Sequence, residues 1–429
     1  MGITLEADLL IDGIAELATC RGAVPRRGPA LGELEVIAGA AVAAAGGRIV
    51  AVGRRDEVLE RISLRPDGVH VDARGGVVTP GFVDAHTHLV WAGSRADEFA
   101  RILRGATYRE LAAAGGGIRR TVRATRAADA DELAAAAGAR LDLMLRHGTT
   151  TAEAKSGYGL EVEAELKQLE VIHRLDAEHP VDLIATFLGG HLVPPEYEAD
   201  RAAYVKVLVE EMIPRVAPRA RYCDVFCDPS AFDPRESRLI LEAGRKHGLK
   251  PRLHADEFTA SGGAELAVAL GAASADHLAG VSDAGLQALA RSDVAAVLLP
   301  GTMYFLGEGK YAPARRLIQA GAIVALGTDC NPGSSNTESL TTVIQLACFA
   351  MRMTVEEAVQ AATINSAYAL DLAHDRGSVE EGKLADLVVH AVPTVADLVY
   401  HYGVNHVSTV VKRGRVVVRD RHACYADTL

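Results

Sequence analysis

The stretch Val77–Trp91 reads VVTPGFVDAHTHLVW, and it decides the fold of the chain. An apolar pair is broken by a Pro-Gly pair, a second apolar pair follows, and His86 and His88 come two residues apart. Successive side chains of a strand point to opposite faces, so an extended backbone directs both imidazoles to the same side. A strand end of this kind holds a metal ion when other strand ends supply further ligands.

The composition excludes several classes of protein. The chain has 429 residues, of which 49% are hydrophobic and 24% charged, as in a globular protein with one large and one smaller domain. A formal net charge of −11 argues against nucleic-acid binding. We expect no signal peptide and no membrane span. The six cysteines lack zinc-ribbon or disulfide spacing, which predicts free thiols and a cytoplasmic location.

Both ends of the chain show short strand patterns. Leu9–Gly13 and Gly47–Gly53 are apolar segments that end at glycine, and Thr409–Val418 is typical of a hairpin. We predict that residues 1–76 and 375–429 pack together as one small β domain. Two unrelated terminal appendages are the alternative.

Residues 77–374 alternate strand patterns with helical patterns. The candidate strands end near His88, Lys155, His191, Asp228, His254, His277, Pro300 and Asp329. Between them, segments such as Asp131–Arg146 have helical periodicity and end at a His-Gly pair, a helix C-cap signal. Eight strand–helix units over about 300 residues predict a (β/α)8 barrel of TIM type, an α/β fold.

Residue types that bind metals fall at several of these strand ends. In a (β/α)8 barrel, functional groups lie at the C-terminal ends of the strands. The candidates are His86 and His88 after the first strand, His254 after the fifth, His277 after the sixth and Asp329 after the eighth. Together they predict a metal centre.

This order of ligands resembles that of the amidohydrolase superfamily, whose members often carry a small β-sandwich built from both chain termini. A narrower resemblance, to the imidazolonepropionase family, runs from about Gly47 to Ala385. It rests on Pro80–His88, Ala114–Ile118, Lys155–Gly159, His254–Glu257 and Gly327–Ser334. Cys330 departs from the pattern, because a bulky apolar residue is expected beside the metal-binding Asp.

The resemblance implies a metal-dependent hydrolase that acts on a non-peptide carbon–nitrogen bond in a cyclic amide. The narrower family opens the ring of 4-imidazolone-5-propanoate to give N-formimidoyl-L-glutamate in histidine degradation. The alternatives are another one-metal cyclic amidohydrolase, a ring deaminase that releases ammonia, and a non-enzymatic relative that uses the barrel as an interaction scaffold. A small anionic substrate and a homodimer are also implied.

A divalent ion lowers the pKa of bound water towards about 7 and polarises a carbonyl, and hydrolysis of a ring amide needs both effects. We assign His86, His88, His254 and Asp329 as its ligands, which leaves a coordination position open. The nitrogen-rich set suits one Zn or Fe(II) ion and disfavours Mg or Ca. His277 either binds the ion or polarises the substrate carbonyl, the role usual in one-metal members of the superfamily.

Glu257, three residues after His254, is predicted to act as the general base, and Asp329 is the other candidate. The non-catalytic alternative for Glu257 is a helix N-terminal residue stabilised by the helix dipole. Some superfamily members bridge two metals with a carboxylated Lys at the end of strand four, whereas Lys155 ends the second predicted strand. We therefore predict one metal and interpret Lys155 as a structural or pocket charge.

The substrate of the resembled family carries a carboxylate tail. Arg95 lies on the first barrel loop, and its guanidinium can fork onto a carboxylate; a surface ion pair with Asp97 or Glu98 is the alternative. The other predicted substrate contacts are Tyr108, Tyr158, His191, Glu257, Asn331, Gly333 and Ser334. The last three lie just after Asp329, where a backbone turn can offer N–H groups to the substrate or product.

Overall fold

The computed structural model describes residues 4–22, 24–105 and 115–425 of the chain. Within them the strands are β1 (Leu5–Ala18), β2 (Val36–Ala45), β3 (Arg48–Arg54), β4 (Ile62–Asp72), β5 (Val77–Pro80), β6 (Phe82–Asp84), β7 (Thr149–Lys155), β8 (Asp182–Gly190), β9 (Tyr222–Cys227), β10 (Lys250–Ala255), β11 (Ser274–His277), β12 (Ala295–Leu298), β13 (Ile323–Leu326), β14 (Leu387–His390), β15 (Val407–Lys412), β16 (Arg415–Arg419) and β17 (His422–Ala423).

The α-helices of these residues span Arg55–Arg61, Ala96–Leu103, Ile118–Ala127, Ala130–Arg146, Val162–Glu178, Arg201–Val207, Ile213–Val216, Pro234–Lys246, Gly263–Leu270, Asp283–Ala290, Pro300–Leu306, Ala314–Ala320, Leu340–Met351, Val355–Ala361, Ile364–Ala369 and Asp397–Tyr400. A π-helical turn covers Leu208–Met212, and 3-10 turns cover Gly28–Gly32, Pro195–Tyr197 and Ala217–Arg219. No described helix is long and apolar enough to cross a membrane.

Strands β6 to β13 form one parallel sheet in chain order, which confirms the predicted (β/α)8 barrel. The sheet closes through backbone hydrogen bonds just beyond the ends of its first and last strands. Asp329 N–H donates to the carbonyl of His86 (2.9 Å), and His88 N–H donates to the carbonyl of Cys330 (3.0 Å). Closure therefore places the residues that follow β6 and β13 side by side.

Local sequence explains the helices that surround the barrel. The helix Ala130–Arg146 begins at a capping box, in which the Asp129 carboxylate accepts from Glu132 N–H and the Glu132 carboxylate accepts from Asp129 N–H. Its buried face, which includes Leu133 and Leu141, packs in the main hydrophobic core. The helix packs against strand β7 and thereby helps to cover the outer face of the barrel.

The second sheet combines strands from both ends of the chain, in the order β17-β16-β15-β14-β5-β1-β2-β3, with β4 also paired to β1. The expectation that the two termini pack together is therefore confirmed. The expected end of β1 at Gly13 is wrong, because the strand continues to Ala18. A register shift between Ile11 and Ile14 absorbs the positive φ (64°) of Gly13 as a bulge.

An ion-pair cluster, in which Arg376, Lys412 and Asp386 are buried and Asp182 is largely so, fastens this sheet to the N-terminal ends of the barrel strands. Asp182, the first residue of β8, accepts from Arg376 (2.5 Å), Lys412 (2.9 Å) and Arg413 (2.9 Å). Lys412 also donates to Asp386 (2.7 Å). Burial would raise the pKa of Asp182, but the charges of Lys412 and Arg376 outweigh burial and hold this pKa below its usual range. The carboxylate is therefore ionised at neutral pH.

Replacing Asp182 with Ala should destabilise the protein strongly, because Lys412 and Arg376 would lose a partner in a buried setting. Removing one member of a buried pair costs about 3–5 kcal/mol. Urea unfolding of Asp182→Ala should show the loss. Asp67→Ala, which breaks an exposed pair with Arg65, is the control and should change stability by less than about 1 kcal/mol. Equal effects of the two variants would contradict a role for the cluster in fastening the sheet.

Candidate active site

Two overlapping groups of possible metal ligands lie at the C-terminal ends of the barrel strands: His86 with His88 and Asp329, and His86 with His254 and His277. The Nε2 atoms of His86 and His88 are 3.4 Å apart, and His254 Nε2 lies 3.2 Å from His88 Nε2. Asp329 Oδ1 lies 3.4 Å from His86 Nε2 and 3.3 Å from His88 Nε2. All four side chains are buried. The structure thus brings together the predicted ligand set.

These separations fit a tetrahedral metal ion. Ligand atoms bonded to an ion at about 2.0–2.1 Å stand about 3.4 Å apart at tetrahedral angles. Asp329 Oδ1 is buried and receives no hydrogen bond from any described residue, which is costly unless a cation lies beside it. The approach of the His86 and His88 Nε2 atoms to this same oxygen has the same explanation. The residues present therefore fit one divalent ion.

Hydrogen bonds behind the ligands fix their orientation. The ring N–H at Nδ1 of His86 donates to Asp276 Oδ2 (2.6 Å), so Nε2 keeps its lone pair and points to the centre. The hydroxyl of Thr302 donates to the other carboxylate oxygen of Asp329 (2.7 Å). Burial would raise the pKa of Asp329, but His86 and His88 hold it well below its usual range. Asp329 is thus an ionised carboxylate at neutral pH, as a metal ligand must be.

The backbone is strained around the site. Asp329, His277 and Asp256 have positive φ values of 52°, 79° and 50°, in a region that non-glycine residues rarely adopt. The carboxylate of Asp256 accepts backbone hydrogen bonds from residues 261–264, at 2.7 to 3.2 Å. These bonds fix the loop that carries Glu257.

Glu257 and His277 face each other beside the ligand set, with Glu257 Oε1 3.7 Å from His277 Nδ1. Both are buried. Burial, reinforced by the charges of Asp329 and Asp228, raises the pKa of Glu257 well above its usual value. Burial lowers the pKa of His277 to about 4. A carboxyl group that readily takes a proton beside a neutral imidazole suits proton transfer.

Two aromatic rings form a wall beside His88. The ring of His191 stacks on that of His88, with centroids 5.1 Å apart, and its Nδ1–H donates to the carbonyl of Gly157 (2.9 Å). The ring of Tyr158 lies 5.4 Å from that of His191. The buried carboxylate of Glu165 holds the Tyr158 loop, since it accepts from the N–H groups of Gly157, Gly159 and Leu160. The other predicted aromatic contact, Tyr108, lies outside the described residues.

Arg95 contacts the turn after Asp329. Its Nε–H donates to Glu98 (3.0 Å), and Glu98 is only 4% exposed, so the pair is buried rather than on the surface. Its guanidinium packs so closely on Gly333 that a Cβ there would overlap it. Asn331 Oδ1 accepts from the N–H groups of Gly333 and Ser334 (2.7 and 2.8 Å), so the turn itself already uses these expected donors.

Sequence reasoning interpreted Lys155 as a structural or pocket charge, but it missed the buried charge network around this lysine beneath the candidate ligands. Its members, all 0% exposed, are Glu153, Lys155, Asp224, Arg252 and Asp276. Lys155, at the end of the second barrel strand, lies 2.7 Å from Glu153 and 2.8 Å from Asp224. Each member is a charged residue within or at the end of a barrel strand that is otherwise largely uncharged. A charged residue in an otherwise largely uncharged strand pattern is therefore the sequence signal that could have identified these residues.

Comparison with known proteins assigns the family. The sequence pattern of the amidohydrolase family matches residues 70–110 and 100–418. The chain is 50% identical over 422 residues to the imidazolonepropionase of Geobacillus sp. (strain WCH70), covering 97% of this chain and 99% of that protein. It is 51% identical to the imidazolonepropionase of Symbiobacterium thermophilum, covering 96% and 97%. The chain belongs to the imidazolonepropionase family of amidohydrolases.

Solved structures share the fold of this imidazolonepropionase-family chain. A zinc-bound adenosine deaminase from Xanthomonas campestris superposes with a TM-score of 0.72 at 19% identity, covering 99% of this chain and 96% of that one. An atrazine chlorohydrolase mutant from Arthrobacter aurescens TC1, complexed with zinc and atraton, gives 0.67 at 18%, covering 98% and 97%. The family and the fold together make the chain a metal-dependent hydrolase.

Replacing Asp329 with Ala should remove most of the bound metal, because it deletes the one anionic ligand of the proposed set. Elemental analysis of purified protein, after loading with zinc and removal of free ions, measures this. The matched control is His173→Ala, which removes an exposed histidine away from the site and should leave the metal content unchanged. Retention of wild-type metal by Asp329→Ala would refute the assignment of this ligand.

Proposed function

We propose that the chain catalyses the hydrolytic ring opening of 4-imidazolone-5-propanoate to N-formimidoyl-L-glutamate, a step of histidine degradation. The observation that carries this proposal is the identity of about half of all residues, along almost the whole chain, with proteins named imidazolonepropionase. The convergence of His86, His88, His254 and Asp329 supplies the chemistry that such a reaction needs.

These four residues hold one divalent ion in the proposed site. Three imidazoles and one carboxylate suit zinc or iron(II) better than magnesium or calcium. When bound, the ion supplies an acidified water and polarises the carbonyl of the ring amide. The superfamily resemblance supports a role for His277 on the substrate carbonyl oxygen rather than as a fifth ligand. Its two buried ring nitrogens have no hydrogen-bond partner among the described residues, so one of them can contact that oxygen.

Glu257 is the proposed general base. Its buried carboxylate takes a proton from the attacking water and passes a proton to the ring nitrogen, while the hydroxyl group of the water bonds to the carbonyl carbon and the carbon–nitrogen bond breaks. Its raised pKa suits a group that holds this proton between the two steps. Asp329 is the second candidate for the first transfer, since it adjoins the same point.

Residues around this centre bind the remaining parts of the substrate. Arg95 is anchored through Nε to Glu98, so the two terminal nitrogens of its guanidinium are available to fork onto the carboxylate tail. The proposed walls and polar contacts are Tyr108, Tyr158, His191, Glu257, Asn331, Gly333 and Ser334. Tyr158 and His191 stand on the His88 side of the site, and the turn that contains Gly333 stands beside Arg95.

The product separates this proposal from its closest rival. Ring opening adds one water and retains all nitrogen, whereas a ring deaminase releases ammonia. Freshly prepared 4-imidazolone-5-propanoate, incubated with zinc- or iron-loaded protein, should give a product heavier by one water in the mass spectrum. Protein carrying Asp329→Ala should give none. If metal-loaded wild-type protein leaves the compound unchanged, the substrate assignment is refuted.

Arg95→Met should raise the KM for the anionic substrate at least about tenfold, because a charge-assisted fork onto a carboxylate contributes at least about 1.5 kcal/mol. The value of kcat should change less, because Arg95 binds a part of the substrate that does not react. Steady-state kinetics measure both constants. Arg101→Met, at an exposed position of the same segment, is the control and should match wild type. A fall in kcat at unchanged KM would count against carboxylate binding by Arg95.

We also propose the organisation and setting of the chain. Residues 1–76 with 375–429 make a composite β-sandwich domain, to whose sheet strand β5 (Val77–Pro80) is added by its pairing with β1 and β14. The rest of residues 77–374 make the barrel domain. The resemblance supports a homodimer, which light scattering of the purified chain tests.

The six cysteines are free in the structure, which supports a reducing, cytoplasmic setting. Cell fractionation tests this location.

A further inference from the structure

We propose that Asp224 is a positioning residue that fixes His254 for metal binding, with Lys155 as its buried counter-ion. The proposal rests on the ligand set proposed above and extends it to residues that contact neither the substrate nor the ion. The metal affinity of the chain then depends on the charge network beneath the site.

Asp224 contacts His254 through both carboxylate oxygens. The two residues lie on the neighbouring parallel strands β9 and β10. Oδ1 accepts from the backbone N–H of His254 (3.2 Å), and Oδ2 lies 3.1 Å from His254 Nδ1. Oδ2 also lies 2.8 Å from Nζ of Lys155. Each oxygen of this carboxylate therefore faces at least one N–H donor.

These contacts determine which nitrogen His254 presents to the ion. A carboxylate at Nδ1 keeps the ring proton there and leaves a lone pair on Nε2. Nε2 is the atom that lies 3.2 Å from His88 Nε2 at the centre of the ligand set. Asp276 is placed behind His86 in the same way and accepts a 2.6 Å hydrogen bond from its Nδ1, whereas Asp224 Oδ2 approaches His254 Nδ1 at an ion-pair distance without hydrogen-bond geometry. Two of the three ligand histidines are thus held from behind by buried aspartates.

Lys155 connects and neutralises these supports. Its Nζ lies between Glu153 (2.7 Å) and Asp224 (2.8 Å) and is 3.9 Å from Asp276. The lysine and its three acidic neighbours are completely buried. Charges in such a place persist only when they are paired, because desolvation of an unpaired ion costs several kcal/mol. Lys155 therefore keeps Asp224 ionised, with both oxygens able to accept.

An asparagine cannot replace Asp224 in this arrangement, although its volume is nearly the same. Its amide has one acceptor oxygen and one NH2 donor. In one orientation the NH2 faces the backbone N–H of His254, and in the other it faces Lys155 and His254 Nδ1. Either way two donors meet: the first orientation removes the acceptor of the His254 backbone N–H, and the second removes the acceptor that faces the ring Nδ1.

The test is the zinc affinity of Asp224→Asn, measured by competition with a chromophoric chelator. Loss of a hydrogen-bond partner behind a metal ligand typically weakens affinity about 10–100-fold, and we expect a loss in that range. Asp386→Asn is the matched control. Asp386 is also buried and accepts from Lys412 Nζ (2.7 Å) and Arg413 N–H (2.8 Å), but it lies between the sheets, away from the ligands. This control should lose stability and keep wild-type affinity.

A second measurement separates positioning from simple destabilisation. Zinc should raise the thermal unfolding midpoint of wild type and Asp386→Asn by similar amounts, and that of Asp224→Asn by less, because the rise reports affinity. If Asp224→Asn folds poorly, Asp224→Ser, which leaves room for water, replaces it with the same expected loss. Wild-type zinc affinity in a folded Asp224 variant would overturn the proposal. Failure of wild-type protein to bind zinc would instead refute the underlying ligand set, and the proposal with it.

Discussion

The two backbone hydrogen bonds that close the barrel are the constraint on which the site depends. They join His86 to Asp329 and His88 to Cys330, residues that are about 240 positions apart in the chain. Closure sets the spacing between ligands from the first and last strands, and the other strands carry His254 and His277 into the same opening. Asp329 adopts a strained, positive φ where the first and last strands meet, and this conformation turns its carboxylate inward.

The charges below the site complement this geometry. Glu153, Asp224 and Asp276 carry three negative charges, and Lys155 and Arg252 carry two positive ones, so the network has a net charge of −1 in a fully buried place. Asp329 adds one more negative charge. A cation beside Asp329 would offset part of this negative charge, so the barrel interior favours a positively charged occupant at the candidate site.

Sequence reasoning reached the barrel and the ligand set because both depend on local signals, namely apolar strand runs and ligand residues at their ends. It failed for features that depend on tertiary packing, such as the burial of a side chain or the partner of an N–H group. The Arg95–Glu98 pair looked like a possible surface pair, and only the fold shows that Glu98 is buried. The N–H groups after Asn331 looked free for a ligand, but the Asn331 side chain folds back on them. The strand β2 is rich in alanine and glycine, so its periodicity was too weak to predict it.

The pairing of β5 with both β1 and β14 has a consequence for the synthesis of the chain on the ribosome. The strand β5 leads through Gly81 into the first barrel strand, yet its neighbour β14 begins at Leu387 and is made almost last. The nascent chain therefore carries an open strand edge and an unclosed barrel for most of its translation, a state prone to aggregation. The candidate ligands from the first and last barrel strands meet only after Asp329 and Cys330 have been made, so the complete site forms late in synthesis.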